Sequence, residues 1–218
     1  MEMIHFFDDY PRFLETSETG PSLDRLNARY TGLIHQNRKL LEGASVLDLA
    51  SHDGRWSFAA LKAGASYVLG VEHKPRLIQK SQDNFREYGV ENDAWDFVEG
   101  DLYEKLPELK KTFDVVFCFG ILYHVRHHML MFEQIERLRP KTIIVDTNVS
   151  KYEDPVTYWM KEPNGPKLVG HPSKSAVEAM LKHYGYKSTF FDWLSSGLPL
   201  LRDYKSGKRV IAVATRLD

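Results

Sequence analysis

Apolar positions recur with two different periods along the chain. Leu23, Leu26, Tyr30, Leu33, Ile34, Leu40 and Leu41 fall at helical spacing. Ser22 opens this helix after the Gly20-Pro21 break and Gly43 stops it. From there, strands and helices alternate. Ser45–Leu49, Tyr67–Glu72, Trp95–Glu99, Phe113–Phe119 and Thr142–Asp146 read as strands. Phe113–Phe119 is a near-continuous apolar run, as a strand covered on both faces requires. The pattern predicts helices over Arg55–Ala63, Pro75–Tyr88, His127–Leu138 and from Ser173 to Tyr184. Pro75 suits a first turn, and Gly64, Gly89 and Gly185 suit the ends.

Five strands separated by helices predict a parallel sheet with right-handed crossovers. Lys187–Trp193 and Arg209–Thr215 are joined by Leu194–Lys208, which is too irregular for a crossover helix. They are therefore expected to be antiparallel neighbours. The expected fold is α/β, a seven-stranded sheet with helices on both faces and its last strand reversed. The expected organisation is one domain over 1–218. Residues 1–43 form a helical cap segment, and the Pro- and Gly-containing stretch 149–172, with Tyr158 and Trp159, forms a substrate-side insert.

Composition narrows the function classes. With 218 residues, 43% hydrophobic and 27% charged, the chain has the makings of a sizeable core. A net charge of −1 argues against a broad electrostatic footprint for nucleic acid. The single Cys118 excludes an internal disulfide and points to a reducing compartment. The N-terminus lacks the basic-then-apolar layout of a signal peptide, and no apolar run reaches the roughly 20 residues of a membrane span. A cytoplasmic monomer or homodimer, with no membrane partner, is the expectation.

The candidate chemistry sits at strand ends, where open α/β sheets bind ligands. Asp48 lies at the end of the first strand, Glu72 ends the second, Asp101 follows the third, and Gly120 to His124 follow the fourth. A carboxylate at Glu72 can accept both hydroxyls of a ribose, and one at Asp101 can accept from an adenine amine. Gly54 lets backbone approach a ligand closely, and the helix start behind it offers unpaired N–H donors.

The order Asp-x-Ala-Ser-x-Asp-Gly, Gly-Val-Glu, Glu-Gly-Asp and Phe-Asp-Val-Val-Phe-Cys-Phe-Gly-Ile-Leu-Tyr-His resembles the class I S-adenosylmethionine-dependent methyltransferases over residues 45–148. Gly120-Ile-Leu-Tyr-His124 and the tail from His171 to Tyr186 look most like the branch with the tRNA wobble-uridine carboxymethyltransferases. Those proteins are longer at the N-terminus and use a carboxylated cofactor. The resemblance implies a Rossmann-like methyltransferase sheet and S-adenosylmethionine as cofactor. Asp48, Ala50, Ser51 and Gly54 would line its methionine moiety, Glu72 and His73 would meet the ribose, and Asp101 and Leu102 would flank adenine. Phe119 and Gly120 would lie under the sulfonium. Ala50 and His52 stand where the family usually has glycine. NAD is less favoured, because its phosphate cradle wants glycine there.

Other residues carry two readings each. His124 is the first candidate general base and His128 the second; a capping or packing histidine is the rival reading. Tyr123 packs beside the sulfonium or belongs to the core. Arg29 and Tyr30 either reach the cofactor carboxylate or cover the pocket, and an exposed, salt-bridged Arg29 is the alternative. Phe6, Phe7, Tyr10, Phe13, Tyr158, Trp159 and Trp193 form a substrate lid or ordinary core. His124, His127 and His128 lack any zinc-ligand spacing, so no metal is expected. The expected reaction is methyl transfer to an N, O or C atom of a small molecule. A tRNA-modifying transferase and a non-catalytic binding protein are the alternatives.

Overall fold

A computed structural model describes residues 1–162, 167–199 and 201–217. Its strands in chain order are β1 (Ser45–Leu49), β2 (Tyr67–Glu72), β3 (Trp95–Glu99), β4 (Val115–Phe119), β5 (Thr142–Asn148), β6 (Thr157–Lys161), β7 (Leu168–Pro172), β8 (Tyr186–Phe190) and β9 (Arg209–Arg216). The helices are α1 (Arg12–Glu15), α2 (Leu23–Leu33), α3 (Arg38–Leu41), α4 (Arg55–Lys62), α5 (Pro75–Glu87), α6 (Leu102–Glu108), α7 (His128–Arg137), α8 (Lys174–His183) and α9 (Arg202–Lys205).

Seven strands form one sheet in the order β3-β2-β1-β4-β5-β9-β8. β1 to β5 pair in parallel, while β9 runs antiparallel to both β5 and β8. The expected seven-stranded sheet with a reversed last strand is what the chain forms. Alternate residues face two separate cores. Val46, Val68, Val115 and Phe117 pack with Phe58 of α4, Phe85 of α5 and the N-terminal Phe7 and Phe13. Leu47, Leu69, Val116 and Ile143 pack with Leu106 of α6, Phe132 of α7 and Leu181 of α8. Strand order reverses between β1 and β4, so the crevice for a ligand opens at their carboxyl ends.

Two local readings are corrected, and two stretches given no element from sequence acquire one. The helix expected from Ser22 to Gly43 is interrupted: α2 stops at Leu33 and a 3-10 turn covers His35–Asn37. Asn37 ends it by turning its side-chain amide onto the Leu33 carbonyl, 2.9 Å away. The stretch after Asp101 is a helix, α6, with the Asp101 side chain accepting from Tyr103 N at 2.8 Å as its cap. The strand expected over Lys187–Trp193 runs from Tyr186 to Phe190 and leaves Trp193 in the following loop. The 149–172 insert contains the antiparallel hairpin β6–β7; its residues 163–166 lie outside the described part.

Candidate active site

The crevice is built around the turn between β1 and α4. Ala50, His52 and Gly54 all adopt positive φ, at 56°, 57° and 78°. Ala50 and His52 thus hold the left-handed conformation that glycine would adopt without strain. Their cost is offset by contacts around the turn. His52 N donates to Glu72 Oε2 at 3.0 Å, and Ser51 N donates to the Val71 carbonyl at 3.1 Å. The His52 ring lies 3.2 Å from Asp53 Oδ1, which also accepts from Arg55 Nε at 2.7 Å. Burial opposes ionisation of Asp53, but the Arg55 guanidinium and the hydrogen bond from the His52 ring outweigh it and hold the carboxyl below its ordinary range. The N-terminal segment braces this group, since Thr16 Oγ1 donates to Asp53 Oδ2 at 2.8 Å.

Glu72 ends β2 buried, accepting from Lys74 N at 3.0 Å through its other oxygen. The His73 ring lies 3.0 Å from that same oxygen. Glu72 Oε2 keeps an acceptor site beyond its bond to His52 N. Asp48 points beneath the turn and accepts from Ser57 Oγ at 2.6 Å. Burial pushes its carboxyl up to about 7; the Ser57 bond works against this, and nearby Glu72 and Asp53 add to it. Asp101 is exposed at the end of β3, with one oxygen committed to capping α6, and Leu102 behind it is buried. Phe119 ends β4, its ring 5.9 Å from that of Trp56 in α4, and Gly120 follows in left-handed conformation at φ 75°. These residues therefore converge on one edge, as their strand-end positions require.

The remaining candidates divide. Tyr123 and His124 occupy a 3-10 turn after Gly120, with ring centroids 4.2 Å apart, and Tyr123 also faces His171 at 5.6 Å. His124 is exposed, and crowding by the surrounding chain lowers its imidazole below the ordinary value. His128 is buried at the start of α7 and stacks on Trp159 at 6.2 Å. Its Nε2 finds no partner among the described residues, and burial lowers the imidazole below its ordinary value.

Of the exposed, salt-bridged reading of Arg29 the salt bridge is present, to Asp146, but the exposure is corrected: the side chain is 13% exposed and lies over the Trp56 ring at 4.9 Å. The lid reading of the aromatics is corrected in part. Phe7, Phe13 and Trp193 are buried core, whereas Tyr158 and Trp159 stand exposed on the β6–β7 hairpin. Cys118 is buried mid-strand, its thiol pushed up to about 12 by burial, and is no nucleophile. Among the described residues, no group of three or more His, Cys, Asp or Glu side chains converges as a metal site.

Sequence reasoning did not single out the strongest electrostatic feature. Asp146, near the end of β5, is fully buried. It accepts from Arg209 Nε at 2.8 Å, Arg209 Nη2 at 2.9 Å, Tyr204 Oη at 2.8 Å and Arg29. Burial would raise its pKa, yet the two guanidinium groups outweigh burial and hold the carboxyl well below its ordinary range. The available signal was a charged residue closing the apolar run Thr142-Ile143-Ile144-Val145, the logic already applied to Glu72. Beside this cluster a cavity of about 700 Å³ opens, lined by Tyr152, Phe190, Phe191, Trp193, Tyr204 and Arg209, among others.

Residues 46–141 match the family model described as a methyltransferase domain. The chain carries the class I methyltransferase fold. Among solved structures, the N-terminal domain of EvdMO1, obtained in the presence of SAH and D-fucose, superimposes with a TM-score of 0.69 at 18% identity, over 99% of this chain and 98% of that one. Magnesium protoporphyrin IX methyltransferase from Synechocystis PCC 6803, with bound SAM, gives 0.65 at 16% identity over 97% and 91%. Both are likenesses of fold. In sequence, the methyltransferase region is similar to the tRNA U34 carboxymethyltransferase of Azotobacter vinelandii, 31% identical over 67% of this chain and 46% of the relative. The enzyme of that name from Helicobacter pylori is 26% identical over 70% and 60%. The chain spans about half the length of these curated relatives.

Proposed function

We propose that the chain is an S-adenosylmethionine-dependent methyltransferase acting on a small molecule. The observation that carries this reading is the β1–α4 turn. Three left-handed residues, two of them not glycine, hold its backbone against Glu72, which retains acceptor capacity at Oε2. Such strain persists where surrounding contacts over-determine it, and it clusters at ligand sites. The residues present fit the cofactor. Ser51, Gly54 and Asp48 would hold the methionine end, Glu72 and His73 the ribose, Asp101 and Leu102 the adenine, with Phe119 and Gly120 beneath the reacting end.

When bound, S-adenosylmethionine supplies a methyl group already activated by a positive sulfur. The chain's own task is alignment, which in good intramolecular models supplies on the order of 7–11 kcal/mol of the barrier. His124 beyond Gly120, its imidazole lowered below the ordinary value by desolvation, would take a proton where the acceptor arrives protonated. The cavity beside Tyr204 and Arg209 has the size of a small-molecule site. Residues 1–43 act in this reading as a cap on a single unit, and the 149–172 insert borders the acceptor side.

Calorimetric titration with S-adenosylmethionine is the test. Binding should be lost or weakened at least tenfold in Glu72→Ala while the fold survives; no binding at millimolar ligand overturns the reading. A second reading, tRNA modification, is favoured by the similarity to the tRNA U34 carboxymethyltransferases. Filter binding of total tRNA across a salt series separates the two, because phosphate contacts give an affinity that falls steeply with salt.

A further inference from the structure

We propose that His128 is a pH-sensitive latch for the β6–β7 hairpin: the neutral imidazole holds the hairpin against α7, and protonation releases it and uncovers the acceptor side. That the hairpin borders an acceptor rests on the methyltransferase reading; the latch itself rests on how the two elements pack. The Trp159 indole of β6 lies nearly parallel to the His128 ring, with 9° between the planes and 6.2 Å between centroids. That indole has a fixed seat. Its cross-strand neighbour on β7 is Gly170, where a Cβ would lie 2.9 Å from the indole. Thr157 Oγ1, on the same face of β6, lies 3.5 Å from His128 Nδ1. The opposite face carries Tyr158 and His171, and His171 meets the Tyr123 ring at 5.6 Å. One face of the hairpin thus docks on His128, and the other turns to the 3-10 turn after Gly120. At the base, Ser173 N donates to the Val156 carbonyl at 2.8 Å and Ser150 N to the Pro172 carbonyl at 2.9 Å. These backbone bonds do not titrate and suit a hinge.

The docked position is hostile to an imidazolium. His128 is 6% exposed, and its Nε2 is buried with no partner among the described residues. As a cation it needs acceptors for both ring N–H groups. Thr157 Oγ1 stands at the limit of a hydrogen bond to Nδ1, and the indole at 6.2 Å lies at the edge of cation–π range. The ionisable groups on the packed elements are His124 on the 3-10 turn, His127 beside His128, and Lys161, Glu162, Lys167 and His171 on the hairpin. Of these only His127 bears on the charge at His128, and it disfavours it. Residues 163–166, Pro-Asn-Gly-Pro, carry no ionisable side chain. Burial lowers the imidazole below its ordinary 6.5, and the Leu122 and Val125 carbonyls offset this only in part. Undocking returns the ring to water and to its ordinary value. Docking is therefore fully favoured above about pH 6.5 and is lost as pH falls through the docked value.

The test uses the full ligand-free chain labelled with 5-fluorotryptophan, the Trp159 signal being assigned by its loss in Trp159→Phe. Fluorine NMR between about pH 7.5 and 5 should show the Trp159 signal titrating with a midpoint below 6.5. Over the same range, hydrogen exchange of the β6–β7 amides, corrected for the intrinsic effect of pH, should rise about fivefold or more. Both responses should vanish in His128→Phe. Should that variant not fold, Trp159→Leu carries the test: the imidazole C–H signal of His128 should titrate below 6.5 in wild type and return towards 6.5 in the variant. A flat Trp159 signal in wild type, a response that survives in His128→Phe, or a His128 midpoint unmoved by Trp159→Leu overturns the proposal. So does a titrating Trp159 signal without faster exchange, which would place the charge at the stack with the hairpin still docked. Calorimetry with S-adenosylhomocysteine keeps the two readings apart. A chain that binds none at any pH overturns the methyltransferase reading and leaves the latch standing; one that binds it with a flat Trp159 signal overturns only the latch.

Discussion

Asp48 shows how one buried group sets a pH dependence. Its carboxyl is pushed up to about 7, against an ordinary value of 3.8, chiefly by burial. The folded chain therefore holds a proton at Asp48 over a range where the unfolded chain has released it. The sign follows: the contribution is fully present below about pH 4, and stability is lost as pH rises from there towards 7. Asp48→Asn removes the titration while keeping an acceptor for Ser57. Urea unfolding should show the variant gaining on wild type as pH rises from 4 to 8, by about 2–4 kcal/mol at the upper end. A constant difference across that range would show that Asp48 is ionised throughout. The types of residue in this crevice were legible from the sequence, because a charged side chain closing an apolar strand has few uses. Their partners were not. Nothing in the order His52-Asp53-Gly54-Arg55 says that Asp53 takes both neighbours, or that Thr16 reaches it from the N-terminal segment.

At the scale of elements, legibility followed length and burial. β1, β2, β4 and β5 are near-continuous apolar runs, and α5 and α7 carry a clear period. α6 has only Leu102 and Leu106 buried and contains Pro107, too little for a helical period to register. The β6–β7 hairpin places Tyr158 and Trp159 next to each other, both exposed, so the alternation that marks a half-buried strand is missing. Gly70 in β2 shows a close approach that pairing alone did not reveal. A Cβ there would meet the Phe97 ring at 2.4 Å and Ser51 Oγ at 2.7 Å. Gly70→Ala should therefore cost about 1–3 kcal/mol through overpacking. Because Ser51 lies in the β1–α4 turn, it should also weaken S-adenosylmethionine binding by calorimetry. A variant with lower stability and unchanged affinity would show that the turn is insulated from the sheet beneath it.

For the whole molecule, Asp146 is the knot that ties β5 to α2 through Arg29, to α9 through Tyr204 and to β9 through Arg209. The strands it joins were predictable one by one, but the knot depends on residues far apart in sequence and had no local signature. Its carboxyl is held below the ordinary range, so its stabilisation is present above about pH 4 and is lost as pH falls through the folded value. Asp146→Asn should cost about 3–5 kcal/mol at pH 7 in chemical denaturation, because two guanidinium groups are left without their carboxylate. The cofactor site predicts an effect of opposite sign. A ligand that binds only the folded chain, at one hundred times its dissociation constant, adds about 2.7 kcal/mol of stability. In a chain of this size each 1 kcal/mol raises Tm by about 2–4 °C. Saturating S-adenosylhomocysteine should therefore raise the wild-type Tm by about 5–11 °C, as read by calorimetry. Asp146→Asn lowers the baseline Tm without touching the β1–β2 edge, so it should show an upward shift of similar size. Glu72→Ala, which leaves His52 N and Lys74 N without their carboxylate acceptor, should melt below the wild-type temperature and gain almost nothing from the ligand. A Glu72→Ala chain that shifts as much as wild type would move the cofactor site away from the β1–β2 edge.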